Sequence, residues 1–231
     1  MPMKFSQKFL DMKKHFYKTF VFSLISFICS NLIAKEFTMI SLDDFGKIDA
    51  MKFQDESAPQ ILSLKPYHPN RSFPVPKNDL IHFYGIHSET GASSRRPILR
   101  ISFADQEDDI IIFLRRDKDD PEKINTEFLK NDVTSFPTVS TMILNLSNNE
   151  VVAQLGDEII KLSPNSRTLI PLPKNERGTF NRKVLFAYQE KDQSINYFFI
   201  SHWRITAGRK MLCIIESSDE LDSDSLKEIW L

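Results

Sequence analysis

"LNLSNNEVVAQLGDEIIKL", Leu144 to Leu162, decides the fold class. Met142, Leu144 and Leu146 alternate with Thr141, Ile143 and Asn145 before Asn148-Asn149 turns the chain. Val151, Ala153 and Leu155 then alternate with Val152 and Gln154 until Gly156-Asp157 turns it back into "EIIKL". A period of two places alternate side chains on opposite faces of a strand, and Asn-Asn and Gly-Asp suit tight reversals. The stretch predicts a three-stranded meander, and its side chains carry almost no catalytic chemistry.

The same pattern extends both ways. "SRTLIP" (166–171), "RKVLFAYQE" (182–190), "SINYFFISHWRI" (194–205) and "RKMLCIIES" (209–217) read as further strands, with Thr206 to Gly208 as a hairpin loop between the last two. Upstream, "LIHFYG" (80–85), "PILRISFA" (97–104) and "DIIIFLRR" (109–116) are rich in branched and aromatic residues and separated by turn-like "SETGASS" and "DQED". In "DDPEKINTEFLKND", Asp120 as N-cap, Pro121 at the first helical position and Ile124 with Phe128 predict one short helix. Lys35 to Lys77 holds Pro59, Pro66, Pro69, Pro74 and Pro76 and reads as an extended N-terminal arm with one or two edge strands, whose Phe37, Ile40, Ile61 and Leu64 dock on the main domain. The expected organisation is a signal at 1–34, the arm at 35–77, an antiparallel all-β sandwich or partly closed barrel of about ten strands at 78–217, and an acidic tail at 218–231. In that tail Ser225 and Glu228 match a capping box before one turn ending at Trp230.

The N-terminus gives the location. Lys13, Lys14 and Lys18 precede the uncharged run "FVFSLISFICSNLIA", Phe20 to Ala34, in the order of a secretory signal peptide. The run is shorter than the roughly twenty residues that span a bilayer core, so cleavage near Lys35 and a periplasmic or secreted product are expected. Retention as an inner-membrane anchor through residues 16–34 is the alternative, because Leu32 meets the small-residue cleavage pattern poorly. "MKKHFYKTF" makes Met12 a compact alternative start. Removal of the signal takes Cys29 with it and leaves Cys213 as the one thiol, so no internal disulfide forms.

Composition narrows the function further. Thirty basic and thirty-one acidic residues give a formal charge of −1, which supplies no bulk field for nucleic acid. Nineteen phenylalanines against six glycines favour a filled interior. The chain contains no G-x-S-x-G elbow, H-E-x-x-H pair, Walker loop or G-x-G-x-x-G, so no catalytic residue and no cofactor is assigned. His68, His82, His87 and His202 with Met211 and Cys213 hold the residue types of a copper site, but Met211 and Cys213 alternate on one strand with Ile215, which reads as a buried apolar stripe and no metal ligand. Arg95, Arg96 and Arg100 form the least balanced basic cluster, without interleaved aromatics. Tyr197, Phe199 and Trp203 fall on one face of their strand and Phe198 and Ile200 on the other. The candidate contact surface is therefore Tyr197, Phe199, Trp203, Arg95, Arg96 and Arg100.

Phe136 to Pro173, "FPTVSTMILNLSNNEVVAQLGDEIIKLSPNSRTLIPLP", resembles the strand pattern of small secreted bacterial immunoglobulin-like sandwiches, including envelope accessory modules. The resemblance implies an immunoglobulin-like fold and names no activity. Together these readings imply an exported, non-catalytic envelope structural or binding module whose partner is another envelope protein or a polysaccharide, not nucleic acid, with membrane contact only through an uncleaved signal. A hydrolase of cell-envelope polymers is the alternative, recognised by a cleft that gathers a carboxylate pair or a Ser with a His. A periplasmic metal carrier, in which His82, His87 or His202 converges with Cys213, is the third.

Overall fold

A computed structural model describes residues 35–54, 58–106, 108–117, 119–171, 179–189, 195–206, 208–217 and 224–231. The expected signal, residues 1–34, lies outside them. The described residues form sixteen strands, and none of them is helical. No helix among them is long and apolar enough to cross a membrane.

The strands divide into two halves. The first holds β1 (Glu36–Ser41), β2 (Ile48–Gln54), β3 (Pro59–Ser63), β4 (Phe73–Pro74), β5 (Leu80–His87), β6 (Leu99–Ser102), β7 (Ile110–Arg116) and β8 (Ile124–Lys130). The second holds β9 (Ser140–Asn145), β10 (Val151–Leu155), β11 (Glu158–Leu162), β12 (Ser166–Pro171), β13 (Thr179–Gln189), β14 (Ile195–Thr206), β15 (Met211–Ser217) and β16 (Asp224–Trp230). The sheet orders β4-β1-β7-β8 and β3-β2-β5-β6 recur as β12-β9-β15-β16 and β11-β10-β13-β14. Even the parallel pair is repeated, β1 with β7 and β9 with β15. The chain thus contains one eight-strand topology twice. In each half the first strand pairs with the fourth and seventh, unlike an immunoglobulin constant domain, whose first strand lies in an A-B-E-D sheet.

Three apolar layers hold four open sheets together. Phe37, Met51, Phe53, Phe83, Ile112 and their neighbours fill the space between the two sheets of the first half. Ile143, Ala153, Phe186, Trp203 and Cys213 do so in the second. Between the halves, Ile40, Ile111 and Phe113 meet Leu144, Leu212 and Ile214. The parallel ladders align Met39 with Ile112 and Ile143 with Cys213, so Ile40, Ile111 and Phe113 are the topological counterparts of Leu144, Leu212 and Ile214. The halves bury the same face on each other. β7 and β15 are consequently buried on both sides, and their runs "IIIFL" and "MLCII" are unbroken because neither face meets water.

Several expectations from sequence change here. The Pro-containing arm supplies β1 to β4, and β1 sits inside a sheet between β4 and β7. Its prolines mislead because Pro59 and Pro74 fall on the edge strands β3 and β4, where a missing N–H costs nothing. The short helix expected within 119–132 is replaced by β8, which pairs with β7 from Ile110↔Lys130 to Arg116↔Ile124. Ile124 and Phe128 satisfy a period of two as well as i, i+4, and the seven-residue ladder outweighs the local cap. The C-terminal turn at Ser225 is likewise a strand, β16, along β15.

The meander also divides. β10 and β11 form the expected hairpin, but β9 leaves for the other sheet. Asn145, with no exposed surface, fixes that departure: its Nδ2 donates to the carbonyls of Asn149, Leu162 and Ser163 at 2.9, 3.1 and 3.0 Å, and its Oδ1 accepts from Ser147. A fully satisfied buried amide specifies the crossing without leaving an unpaired group in the core. Likewise β14 and β15 lie in different sheets, so the Thr206–Gly208 connection joins two layers rather than a hairpin.

Two outcomes test this packing. Phe113→Ala, in the layer between the halves, should destabilise the protein by roughly 3–5 kcal/mol in urea unfolding, the usual range for emptying an aromatic site; a loss under about 1 kcal/mol would show that the halves do not depend on that layer. Cys213 has no exposed surface, and burial pushes its thiol well above the ordinary range. It should resist thiol reagents in folded protein and react once unfolded, and Cys213→Ser should cost about 1–3 kcal/mol with Cys213→Ala costing less.

Candidate functional site

The aromatic strand β14 does not keep simple alternation. Its pairing with β13 runs Phe186↔Phe199 and then Ala187↔Tyr197, so Phe198 is an extra residue in a bulge. The bulge turns both Phe198 and Phe199 toward Phe186, with ring centroids 6.3 and 6.0 Å away, and stacks Phe198 on Tyr188 at 4.7 Å. Trp203 is buried in the same core and donates its Nε1–H to Glu228 Oε1 on β16 at 2.7 Å. Of the three aromatics expected at a contact surface, only Tyr197 remains on the outside, 50% exposed.

It has apolar company that sequence reasoning missed. Across the outward face of β11-β10-β13-β14, register aligns Ile159 with Gln154, Gln154 with Leu185 and Leu185 with Ile200, while Val152 and Ala187 lead to Tyr197. Ile159 and Ile200 are 68% and 61% exposed and Ile195 is 57% exposed. Exposed Lys183, His202 and Arg204 continue the same face toward the other end of β14. The doublet "EII" at 158–160 carried a sequence signal for Ile159, since it puts one isoleucine on the polar side whatever the parity.

Arg95, Arg96 and Arg100 are exposed but belong to the first half. Arg100 pairs with His82 on the outward face of β3-β2-β5-β6, and Arg95 and Arg96 lie in the connection before β6. With the equivalent inner sheets packed together, the two outer sheets face opposite ways, so the arginines and Tyr197 form no single surface. His82 and His87 lie on β5 and His202 is exposed on β14, whereas Cys213 points into the core with Met211 and Ile215. Among the described residues no three His, Cys, Asp or Glu side chains are grouped as a metal site.

A cleft of about 820 Å³ lies at one end of the seam between the halves. It gathers the carboxylates of Asp43, Asp44, Asp117 and Glu216, the feature by which a hydrolase would be recognised. Each carboxylate accepts hydrogen bonds within the fold. Glu216 receives the Tyr67 hydroxyl and, at 2.8 Å, Arg115 Nη2. Asp43 receives the Arg116 N–H at 2.6 Å and Asp44 that of Gly46 at 2.9 Å. Asp117 receives the Asn125 amide, the Asp119 and Asp120 N–H groups and Lys123, and the Asn125 bond leads in holding its pKa far below the ordinary value. Glu216 ties the two halves together and the other three hold loops of the first half; as a general acid Asp117 would need the opposite shift. Burial, then donation to Glu216, pushes the Tyr67 phenol far above its ordinary 10.0, while Lys227 Nζ lies 5.5 Å from its ring.

No family model and no curated protein matches this chain. Among solved structures, it is similar to a candidate cell adhesion protein from Bacteroides uniformis ATCC 8492, at 11% identity over 86% of this chain and 96% of that chain, with a TM-score of 0.21.

The Tyr67 clasp has a pH signature. Below pH 10 the phenol is protonated in folded and unfolded chains, so its contribution is complete. Above pH 10 the unfolded chain releases the proton first, and stability falls as pH rises toward the folded value. Tyr67→Phe should cost about 1–2 kcal/mol at pH 7, for a hydrogen bond to a charged group partly screened by water, and should flatten the decline above pH 10. An unchanged alkaline slope in the variant would contradict the assignment.

Proposed function

We propose that the protein is an exported, non-catalytic binding module, related in packing principle though not in strand order to the immunoglobulin-like envelope modules that its 136–173 segment resembles. It engages another envelope protein through the outward face of β11-β10-β13-β14. The observation that carries this reading is the group of apolar side chains Ile159, Leu185, Ile200 and Tyr197 on three strands of a four-stranded sheet. Aliphatic side chains standing together in water mark a contact site more than a solvated surface, and Ile and Tyr lose little side-chain freedom on burial. Lys183, His202 and Arg204 on the same face favour a partner with an apolar centre and acidic surroundings. Export rests on the basic then apolar order of residues 13–34, with maturation near Lys35, one residue before β1.

A photo-crosslinking residue at Tyr197 in the native cell should give a discrete adduct, and Ile200→Lys should abolish it while leaving the unfolding midpoint unchanged. The same probe at exposed Arg167 on β12 should give none. An adduct that survives Ile200→Lys, or no adduct at Tyr197, would sink the reading.

A further inference from the structure

The cleft at the seam is built from equivalent parts of the two halves. By the repeated register, Asp44 after β1 matches Asn148 after β9, and Arg115 on β7 matches Glu216 on β15. Tyr67 and Asn165, in the equivalent connections β3–β4 and β11–β12, both have left-handed backbones, with φ of 59° and 50°. A tyrosine holds that conformation only where its surroundings impose it, whereas asparagine adopts it readily, so Tyr67 is the residue whose backbone the fold fixes at the cleft.

The lining restricts the ligand by charge. Four carboxylates oppose a phosphate or sulfate, while Arg115, Arg116 and Lys227 oppose a cation. Among the described residues of the lining Leu146 is the sole aliphatic one, too little for an acyl chain. What remains is a neutral ligand that both donates and accepts hydrogen bonds repeatedly. Amides at Asn148 and Asn165 and hydroxyls at Ser217 and Ser225 supply both roles, and 820 Å³ falls within the range of small-ligand sites. We infer that this cleft binds a neutral, hydroxyl-rich ligand, a short segment of glycan, independently of the apolar face of β14.

The exported protein, labelled for NMR, would be titrated with N,N′-diacetylchitobiose, maltose and glucose 6-phosphate. At least one neutral disaccharide should shift the side-chain amide signals of Asn148 and Asn165, with glucose 6-phosphate weaker. Asn148→Ala with Asn165→Gly, which keeps the left-handed backbone, should weaken binding about tenfold by removing two amides at an unchanged unfolding midpoint. Ile200→Lys should leave the titration unaltered, which separates this result from the fate of the protein-binding face. Absence of shifts with both disaccharides, stronger shifts with the phosphate, or undiminished binding in the double variant would overturn the proposal.

Discussion

β7 and β15 have no wet face, and the rest of the structure follows from that constraint. A strand buried on both sides needs a sheet partner layer above and below it, which requires more than one two-sheet unit can offer. Each half solves this by placing its doubly buried strand against that of the other, with Ile111 and Phe113 meeting Leu212 and Ile214. The result is a stack of four sheets in which neither half presents a water-compatible inner surface without its counterpart. β1 and β9, parallel neighbours of these strands, are drawn into the same burial, which is why the first strand cannot be a detachable arm.

Packing equivalent faces together also brings equivalent residues near one another, and there the halves have diverged usefully. Arg115 and Glu216 occupy matched positions and form an ion pair at 2.8 Å. Identical charges at those positions would repel across a partly buried seam. At the other end, Lys210 Nζ donates to Asn131 at 2.9 and 2.8 Å and lies 5.1 Å from the Phe136 ring, fastening the second half to the connection that leads into it. Polar clasps at both ends fix the alignment of an apolar layer that by itself tolerates sliding.

This arrangement leaves two kinds of surface for recognition. The outer sheets are supported from beneath by packed cores, so Tyr197, Ile200 and Ile159 stand on a rigid platform. The seam instead carries loops from both halves and is polar. An apolar platform and a polar cleft on different parts of one molecule suit ligands of different chemistry.

From the sequence alone, the period-two pattern determined an all-β chain, and the turn chemistry around Gly156 located the β10–β11 hairpin, because both depend on neighbouring residues only. The stripe of Met211, Cys213 and Ile215 was legible for the same reason. The partners of each strand were not. "DIIIFLRR" and "KMLCIIES" show two apolar faces, but which sheet covers the second face depends on residues a hundred positions away. The doubled topology left no visible trace, since counterparts such as Arg115 and Glu216 share position and not chemistry. Of the aromatics read onto one face, Tyr197 is exposed while Phe199 and Trp203 turn inward, because one bulged residue, Phe198, reverses the parity of everything beyond it. Local alternation fixes which residues can form strands; only tertiary burial decides where each strand goes and which of its sides meets water.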